Sequence, residues 1–382
     1  MKGNDILKWV EIDLKAIEHN FREIKRLAYL QRPPRSKRPL QILAVVKADA
    51  YGHGMLPIAT LLDRLGIEFF GVSDVGEGVE LRKHGITKPI LLFESTLVIS
   101  PDDIIDYNLI PTVCTYEFAQ VLNEVAGLRH RKVDVHVKVD TGMGRLGIWH
   151  TEAKDFIKKI MELPQLSIKG LYTHFPSAET DKRFTKRQIQ QLYKLVTQLD
   201  QMGLIVPYIH AANSIGLANY KMRLFNLARV GLMIYGLYPS PLLKRRVELR
   251  PAMSVKSKII FLKRISRGRS ISYGRTFIAK RNMTVATIPI GYSDGYFRSF
   301  SNRASVLVGG RRCSVLGRVT MDQIMVDVTK MKNVRLGEDV VILGRQGKEE
   351  VTAEELADYE KTINYEIVCS LGNRLPRVYK NY

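Results

Sequence analysis

The sequence predicts a (β/α)8 barrel of the TIM type followed by a mostly-β domain. Three observations predict it. Between Ile42 and Arg229, eight short, apolar, β-branched segments alternate with amphipathic stretches. Polar and reactive side chains recur at the C-terminal ends of those segments, where barrels of this kind carry their chemistry. Past Pro251 the hydrophobic period changes from helical to alternating.

The elements follow in chain order. At 382 residues the chain exceeds one ordinary core, so two domains are expected. Residues 1–13 are read as an N-terminal strand packing with the C-terminal domain, 14–240 as the barrel, and 241–382 as the β-rich domain. Asp13 is a plausible N-cap for a helix beginning at Leu14. The barrel strands are expected at Ile42–Lys47, Phe69–Ser73, Ile90–Glu94, Ile110–Cys114, Asp134–Asp140, Ile168–Phe175, Tyr208–Ser214 and Phe225–Arg229. Helical periods fill Met55–Leu65, Tyr116–Ala126, Thr151–Leu163 and Lys186–Met202, with a further helix expected to open after Arg229. A doubly wound open sheet is the alternative that this pattern leaves. Gln31 to Leu40 is a Pro- and Arg-rich loop, and Leu237 to Pro251 reads as a linker. Beyond it, Ser254–Ile265, Thr284–Ile290, Ala304–Val308, Ile324–Val328 and Val340–Leu343 read as strands. Thr352 to Val368 is helical in period, with Thr352 capping and Glu355 at the capping-box position.

Composition narrows the class. Hydrophobic content of 45% and charged content of 25% are those of a soluble globular protein. No apolar run reaches the length of a membrane span, and the N-terminus runs into Trp9–Asp13 without a signal-peptide core. Cys114, Cys313 and Cys369 are odd in number and far apart, which suits neither a disulfide framework nor a metal knuckle. A cytoplasmic protein without a metal is expected. The net charge of +21 is spread along the chain. Its densest clusters, Arg32 to Arg38, Lys244 to Arg250 and Lys256 to Arg269, lack interleaved aromatics. They read as solvated surface, with weak polyanion binding as the alternative, and no specific nucleic-acid or membrane partner is expected.

The chemistry concentrates at the strand ends. Ile42–Val46 is an apolar run that ends in Lys47, followed by Tyr51, Gly52, His53 and Gly54. A strand delivering one amine to the rim of a sheet is what a Schiff-base enzyme needs. Against this stands a strand-end lysine that merely reaches for solvent. Asp140–Gly147 sets three glycines around Arg145, whose fork suits a carboxylate, phosphate or phenolate. Lys138 precedes it on the strand, where an ammonium is costly to bury alone. His174 closes the sixth strand, Asn213 and Ser214 the seventh, and Arg229 the eighth. Gly231 and Leu232 then offer backbone amides beside the Ser214 hydroxyl, a place for phosphate. Further on, Tyr273 and Tyr292 sit in glycine turns, and Met321-Asp322 opens a strand.

Taken together, these segments resemble the alanine racemase family, pyridoxal-phosphate enzymes built of a barrel and a β domain. The resemblance covers essentially the whole chain. It implies that Lys47 carries pyridoxal 5'-phosphate covalently and that Tyr51, Ser214, Gly231, Leu232 and Tyr365 bind its phosphate. Arg229 is implied at the pyridine nitrogen, with His174 and Asn213 in the same cofactor-binding set. Arg145 and Met321 are implied to bind substrate, and Tyr273 to be the second acid/base, in contact with His174. Lys138, Tyr292 and Asp322 are implied in support, Lys138 at a position that can be carbamylated. The implied activity interconverts L- and D-alanine, supplying D-alanine for peptidoglycan, in a head-to-tail homodimer with shared sites. A racemase acting on serine or basic amino acids, a decarboxylase on the same scaffold, and a cofactor-carrying protein without turnover are the rivals. Gln31 to Leu40 matches no motif of the family.

Overall fold

The computed structural model describes residues 6–31, 40–94, 101–221 and 225–381. The loop expected at Gln31 to Leu40, with its arginine cluster, falls almost wholly outside the described residues. The chain divides into two compact units. One comprises the chain up to Ile17, Tyr51–Gly54 and Arg250 onward; the other comprises Glu18–Ala50 and Met55–Leu249.

The second of these is an eight-stranded parallel barrel. Its strands are Gln41–Val45, Phe69–Val72, Ile90–Leu92, Thr112–Val113, Val133–Asp140, Leu166–Tyr172, Tyr208–His210 and Leu227–Val230. Leu227–Val230 pairs with Gln41–Val45, then Phe69–Val72, then Ile90–Leu92, all in parallel. Thr112–Val113, Val133–Asp140, Leu166–Tyr172 and Tyr208–His210 form a second parallel arc. Backbone bonds close both seams. Ile110 N donates to Ile90 O and Leu92 N to Ile110 O, each at 2.9 Å; Asn226 N donates to Ile209 O at 3.1 Å and Arg229 N to Ala212 O at 2.9 Å. Closure hides every strand edge, and the segments are buried on both faces, which is why they read as continuous apolar runs.

Two expected elements differ. The seventh strand stops at His210, and Asn213 caps a short helix, Ser214–Asn219, by accepting from Gly216 N at 2.9 Å. An asparagine oxygen that competes for backbone amides ends a strand and starts a helix. No helix opens after Arg229. Gly231 to Leu237 is a run of tight turns, with Ile234 N donating to Gly231 O and Gly236 N to Met233 O.

The other unit is an antiparallel sheet around the N-terminal strand. Lys8–Asp13 lies between Met253–Lys258, antiparallel, and Arg377–Lys380, parallel. Asp13 then caps the helix Leu14–Leu30, accepting from Lys15 N at 3.0 Å and Ala16 N at 3.2 Å. The expected strand Ser254–Ile265 is two strands, Met253–Lys258 and Phe261–Ile265, which pair with different partners. The expected C-terminal helix breaks at Lys361, which is left-handed, into Ala353–Glu360 and Asn364–Cys369. Thr352 caps it as expected, while the Glu355 carboxylate goes to Arg312 at 2.6 Å.

One local feature departs from propensity. The turn Lys47–Gly52 is left-handed: Ala48, Asp49, Ala50 and Tyr51 all have φ between +52° and +55°. Each such residue costs about 1–2 kcal/mol, so the surroundings must impose it. At Gly52, φ is +79° and a Cβ would lie 2.4 Å from Val368 O, so only glycine fits. Replacing exposed Ala48 by glycine is expected to hold or raise stability by up to about 1 kcal/mol, whereas Ala48→Val lowers it by at least that much. Urea midpoints of the two variants measure this, and equal losses contradict it.

Candidate active site

At the barrel rim, Lys47 follows the first strand and is half-buried. The turn beyond it is pinned by carboxylates: Asp49 accepts from Met55 N and Glu77 from Ala48 N, both at 2.7 Å. Asp140, buried at the end of the fifth strand, shapes the loop that carries Arg145. It accepts from Gly142 N at 2.7 Å and from Met143 N and Gly144 N at 2.8 Å. Arg145 itself is exposed. Buried Gln188 joins this loop to the sixth strand end, donating to Thr141 Oγ1 at 3.0 Å and to His174 O at 3.2 Å.

Arg229 is the centre of the buried chemistry, at 4% exposure. It donates to His210 Nδ1 at 2.8 Å, Thr173 O at 2.7 Å, Ala211 O at 3.2 Å and His174 Nδ1 at 3.3 Å. No carboxylate pairs with it among the described residues. Burial lowers its pKa to about 10, so it stays cationic at neutral pH. A guanidinium only donates, which settles the tautomers downstream. His210 accepts at Nδ1 and therefore carries its proton on Nε2. It passes that proton's bond to His136 Nδ1 at 3.0 Å. His136 Nε2 then bears a proton, buried and without a partner among the described residues. At Gly170 on the next strand a Cβ would fall 2.3 Å from the His136 ring, so the bare backbone makes room for it.

Tyr172 completes this cluster. Its ring stacks on His210 at 4.6 Å and lies under Lys138 Nζ at 4.2 Å and the Arg229 guanidinium at 5.1 Å. Thr112 Oγ1 donates to Leu92 O at 2.6 Å, so it must accept from the Tyr172 hydroxyl, also at 2.6 Å. Burial and the Arg229 and Arg145 charges push Lys138 well below the usual lysine range. The buried imidazoles shift the same way, by burial first and Arg229 second: His136 to about 3, and His174 and His210 well below 6.5. The barrel thus gathers Lys138, His174 and Arg229, with Tyr172, His136 and His210, which the motifs did not single out. The available signal was the alternation His136, Lys138, Asp140 along one strand, which places all three on one face. The amides of Gly231 and Leu232 and the Ser214 hydroxyl bond to no other group among the described residues.

In the other unit, Tyr51 and Tyr365 have ring centroids 5.9 Å apart, and burial raises the Tyr51 phenol. Tyr273 is 73% exposed on a short turn whose preceding residue, Ser272, bonds Arg318 O at 2.6 Å. Tyr292, Met321 and Asp322 come together. Tyr292 N donates to Thr320 O at 3.0 Å, Ser293 N to Met321 O at 3.1 Å, and Ser293 Oγ to Asp322 at 3.2 Å. A fully buried carboxylate, Asp294, anchors this loop. It holds Lys8 Nζ at 2.7 Å and accepts from Gly291 N at 3.1 Å.

Two family models match the chain: alanine racemase, N-terminal domain, over residues 12–239, and alanine racemase, C-terminal domain, over residues 252–379. An alanine racemase of Halothermothrix orenii is 41% identical over 374 residues, covering 98% of this chain and 97% of that protein. One of Geobacter sulfurreducens is 42% identical, covering 97% and 96%. Among solved structures, the alanine racemase of Clostridium difficile 630 superposes with a TM-score of 0.91 at 37% identity, covering 98% of this chain and 96% of that one. That of Bacillus anthracis with bound L-Ala-P gives 0.89 at 34%, covering 98% and 95%.

The neutral imidazoles make stability depend on pH. Unfolded, His136, His174 and His210 titrate near 6.5; folded, they titrate lower. Below 6.5 the unfolded chain therefore binds more protons. Their contribution is complete above 6.5 and declines on acidification, by about 1.4 kcal/mol per pH unit for each histidine. Denaturant unfolding at about pH 7, 6 and 5 measures the slope; stability that stays flat contradicts the neutral assignment.

Proposed function

The chain belongs to the alanine racemase family, and from that premise we propose that it interconverts L- and D-alanine with pyridoxal 5'-phosphate as cofactor. The observation that carries the reading is the donor set of the barrel: a rim amine at Lys47, a hydroxyl at Ser214 and, among the described residues, uncommitted amides at Gly231 and Leu232 and a guanidinium with no carboxylate. Such a set suits a ligand bearing an aldehyde, a phosphate and a ring nitrogen that accepts a hydrogen bond. Lys47 would hold the aldehyde carbon. Ser214, Gly231 and Leu232, with Tyr51 and Tyr365 by the family pattern, would hold the phosphate. His174 and Asn213 belong to the same set. When bound, the cofactor draws electrons from the substrate Cα and makes its proton removable.

The chain's own residues do the rest. Inversion requires a proton to leave one face of Cα and another to arrive on the opposite face. We assign one face to Lys47 Nζ, which would take the proton of D-alanine, and the opposite face to Tyr273 Oη, which would take that of L-alanine. Arg229 keeps its charge throughout, so it would give the ring nitrogen a hydrogen bond and no proton. Arg145 and the Met321 amide would take the substrate carboxylate, with Tyr292 and Asp322 at the mouth of the site. Lys138, held below the usual lysine range, is suited to add carbon dioxide through its neutral amine, releasing a proton and leaving an anion able to face Arg145. We further propose a head-to-tail homodimer sharing its sites, acting in the cytoplasm to supply D-alanine for peptidoglycan. Among the described residues no disulfide joins Cys114, Cys313 and Cys369, which suits a reducing compartment, and no helix there is long and apolar enough to cross a membrane.

The test is racemisation of L-alanine against L-serine, L-lysine and L-arginine by cofactor-loaded protein. Alanine is expected to turn over fastest, and a faster serine or lysine reaction contradicts the assignment. Tyr273→Phe is expected to slow α-proton exchange from L-alanine by about 100-fold or more while sparing exchange from D-alanine. Single-turnover exchange in deuterium oxide reads both, and equal losses contradict the two-base scheme.

A further inference from the structure

Glu77 is the third residue of the helix Val75–Lys83, whose N-cap is Asp74. A glutamate in that position ordinarily turns back to the N-cap amide. Glu77 does something else. Its Oε1 accepts from Ala48 N and its Oε2 from Ser73 N, each at 2.7 Å. Ser73 is the first residue past the second barrel strand, and Ala48 is the first residue past Lys47. One carboxylate therefore ties two neighbouring strand ends together at the point where the chain enters its left-handed turn. We infer that Glu77 is a positioning residue that fixes the backbone of Lys47 for covalent attachment of an aldehyde cofactor. The inference rests on the assignment of Lys47 made above.

The chemistry supports this role. Ala48, Asp49, Ala50 and Tyr51 lie where L-residues resist, so a group must hold the first of them there. A hydrogen bond to an ionised acceptor is about twice as strong as a neutral one. Burial raises the Glu77 pKa and Asp74 adds to the rise, while the two amides and the Lys47 ammonium favour the ionised form. The same carboxylate thus bonds the backbone beside Lys47 and shares an electrostatic interaction with its amine. Ser73 Oγ in turn donates to Glu94 at 2.8 Å, so the far end of the clamp is itself held.

Glu77→Gln keeps the length and one acceptor oxygen but cannot accept from both amides. The test titrates cofactor-free protein, wild type and E77Q, with two probes. Pyridoxal phosphate bonds covalently to a lysine and is followed by visible absorbance. Pyridoxamine phosphate has no aldehyde, engages only the non-covalent contacts, and is followed by calorimetry. E77Q is expected to weaken pyridoxal phosphate by about tenfold, the loss of one hydrogen bond to a charged group. Its affinity for pyridoxamine phosphate is expected to stay within about twofold of wild type, which also shows that the variant is folded. Equal weakening of both probes, or no weakening of either, overturns the inference. If wild-type protein develops no absorbance with pyridoxal phosphate, the reading of Lys47 itself falls, and that outcome is distinct from the other two.

Discussion

A buried guanidinium that meets no carboxylate among the described residues is the constraint around which the barrel interior is arranged. Arg229 meets carbonyl oxygens and imidazole nitrogens, so its charge is solvated by dipoles and remains uncancelled. Everything adjacent must then be neutral or electron-rich. His210, His174 and His136 are held uncharged, and Tyr172 offers its ring face to both Arg229 and Lys138. The same field lowers Lys138. A site with this surplus of positive potential is suited to anions, and the proposed ligands, a phosphate and a carboxylate, are anionic. A carboxylate beside Arg229 would cancel that potential. It would also form a buried ion pair, whose gain is commonly consumed by desolvation.

Carboxylates do appear near the proposed chemistry, and they are committed: Asp140 and Glu77 to backbone amides, Asp294 to Lys8 and the Gly291 amide, and Asp322 to Arg374 and Ser293. Asp140 gathers three consecutive loop amides behind Arg145, Glu77 bridges two strand ends beside Lys47, and Asp294 holds the Tyr292 loop to Lys8. A buried acceptor saturated by amides cannot swing, so the loops inherit the rigidity of the strands they leave. Scaffolding and chemistry are thus divided by residue type. In the barrel, acids fix the loops, while Arg229 and Lys138 supply the positive charge.

Much of this was legible in the sequence, because closed parallel strands bury both faces and announce themselves as apolar runs. All eight barrel strands begin and end within four residues of their expected places, and Lys47 stands where the first apolar run breaks. What stayed hidden was set by tertiary contact. Ala48, Asp49 and Ala50 favour ordinary right-handed turns, and the Glu77 carboxylate that holds Ala48 N comes from a helix 29 residues on. Arg229 was expected to precede a helix, but tight turns follow, since Gly231 and Gly236 give the chain no reason to propagate one. His136, Tyr172 and His210 were embedded in strands whose apolar neighbours dominate the pattern. The short strand Arg311–Leu316 opens with two exposed arginines, and Arg377–Lys380 has no fully buried position, so neither shows a clear alternation.

The most direct measurement is to reduce the protein with borohydride in the presence of pyridoxal phosphate and map the labelled peptide. A single label on Lys47 is the predicted result. A label on Lys138 or any other lysine, with Lys47 unmodified, contradicts the account at its root.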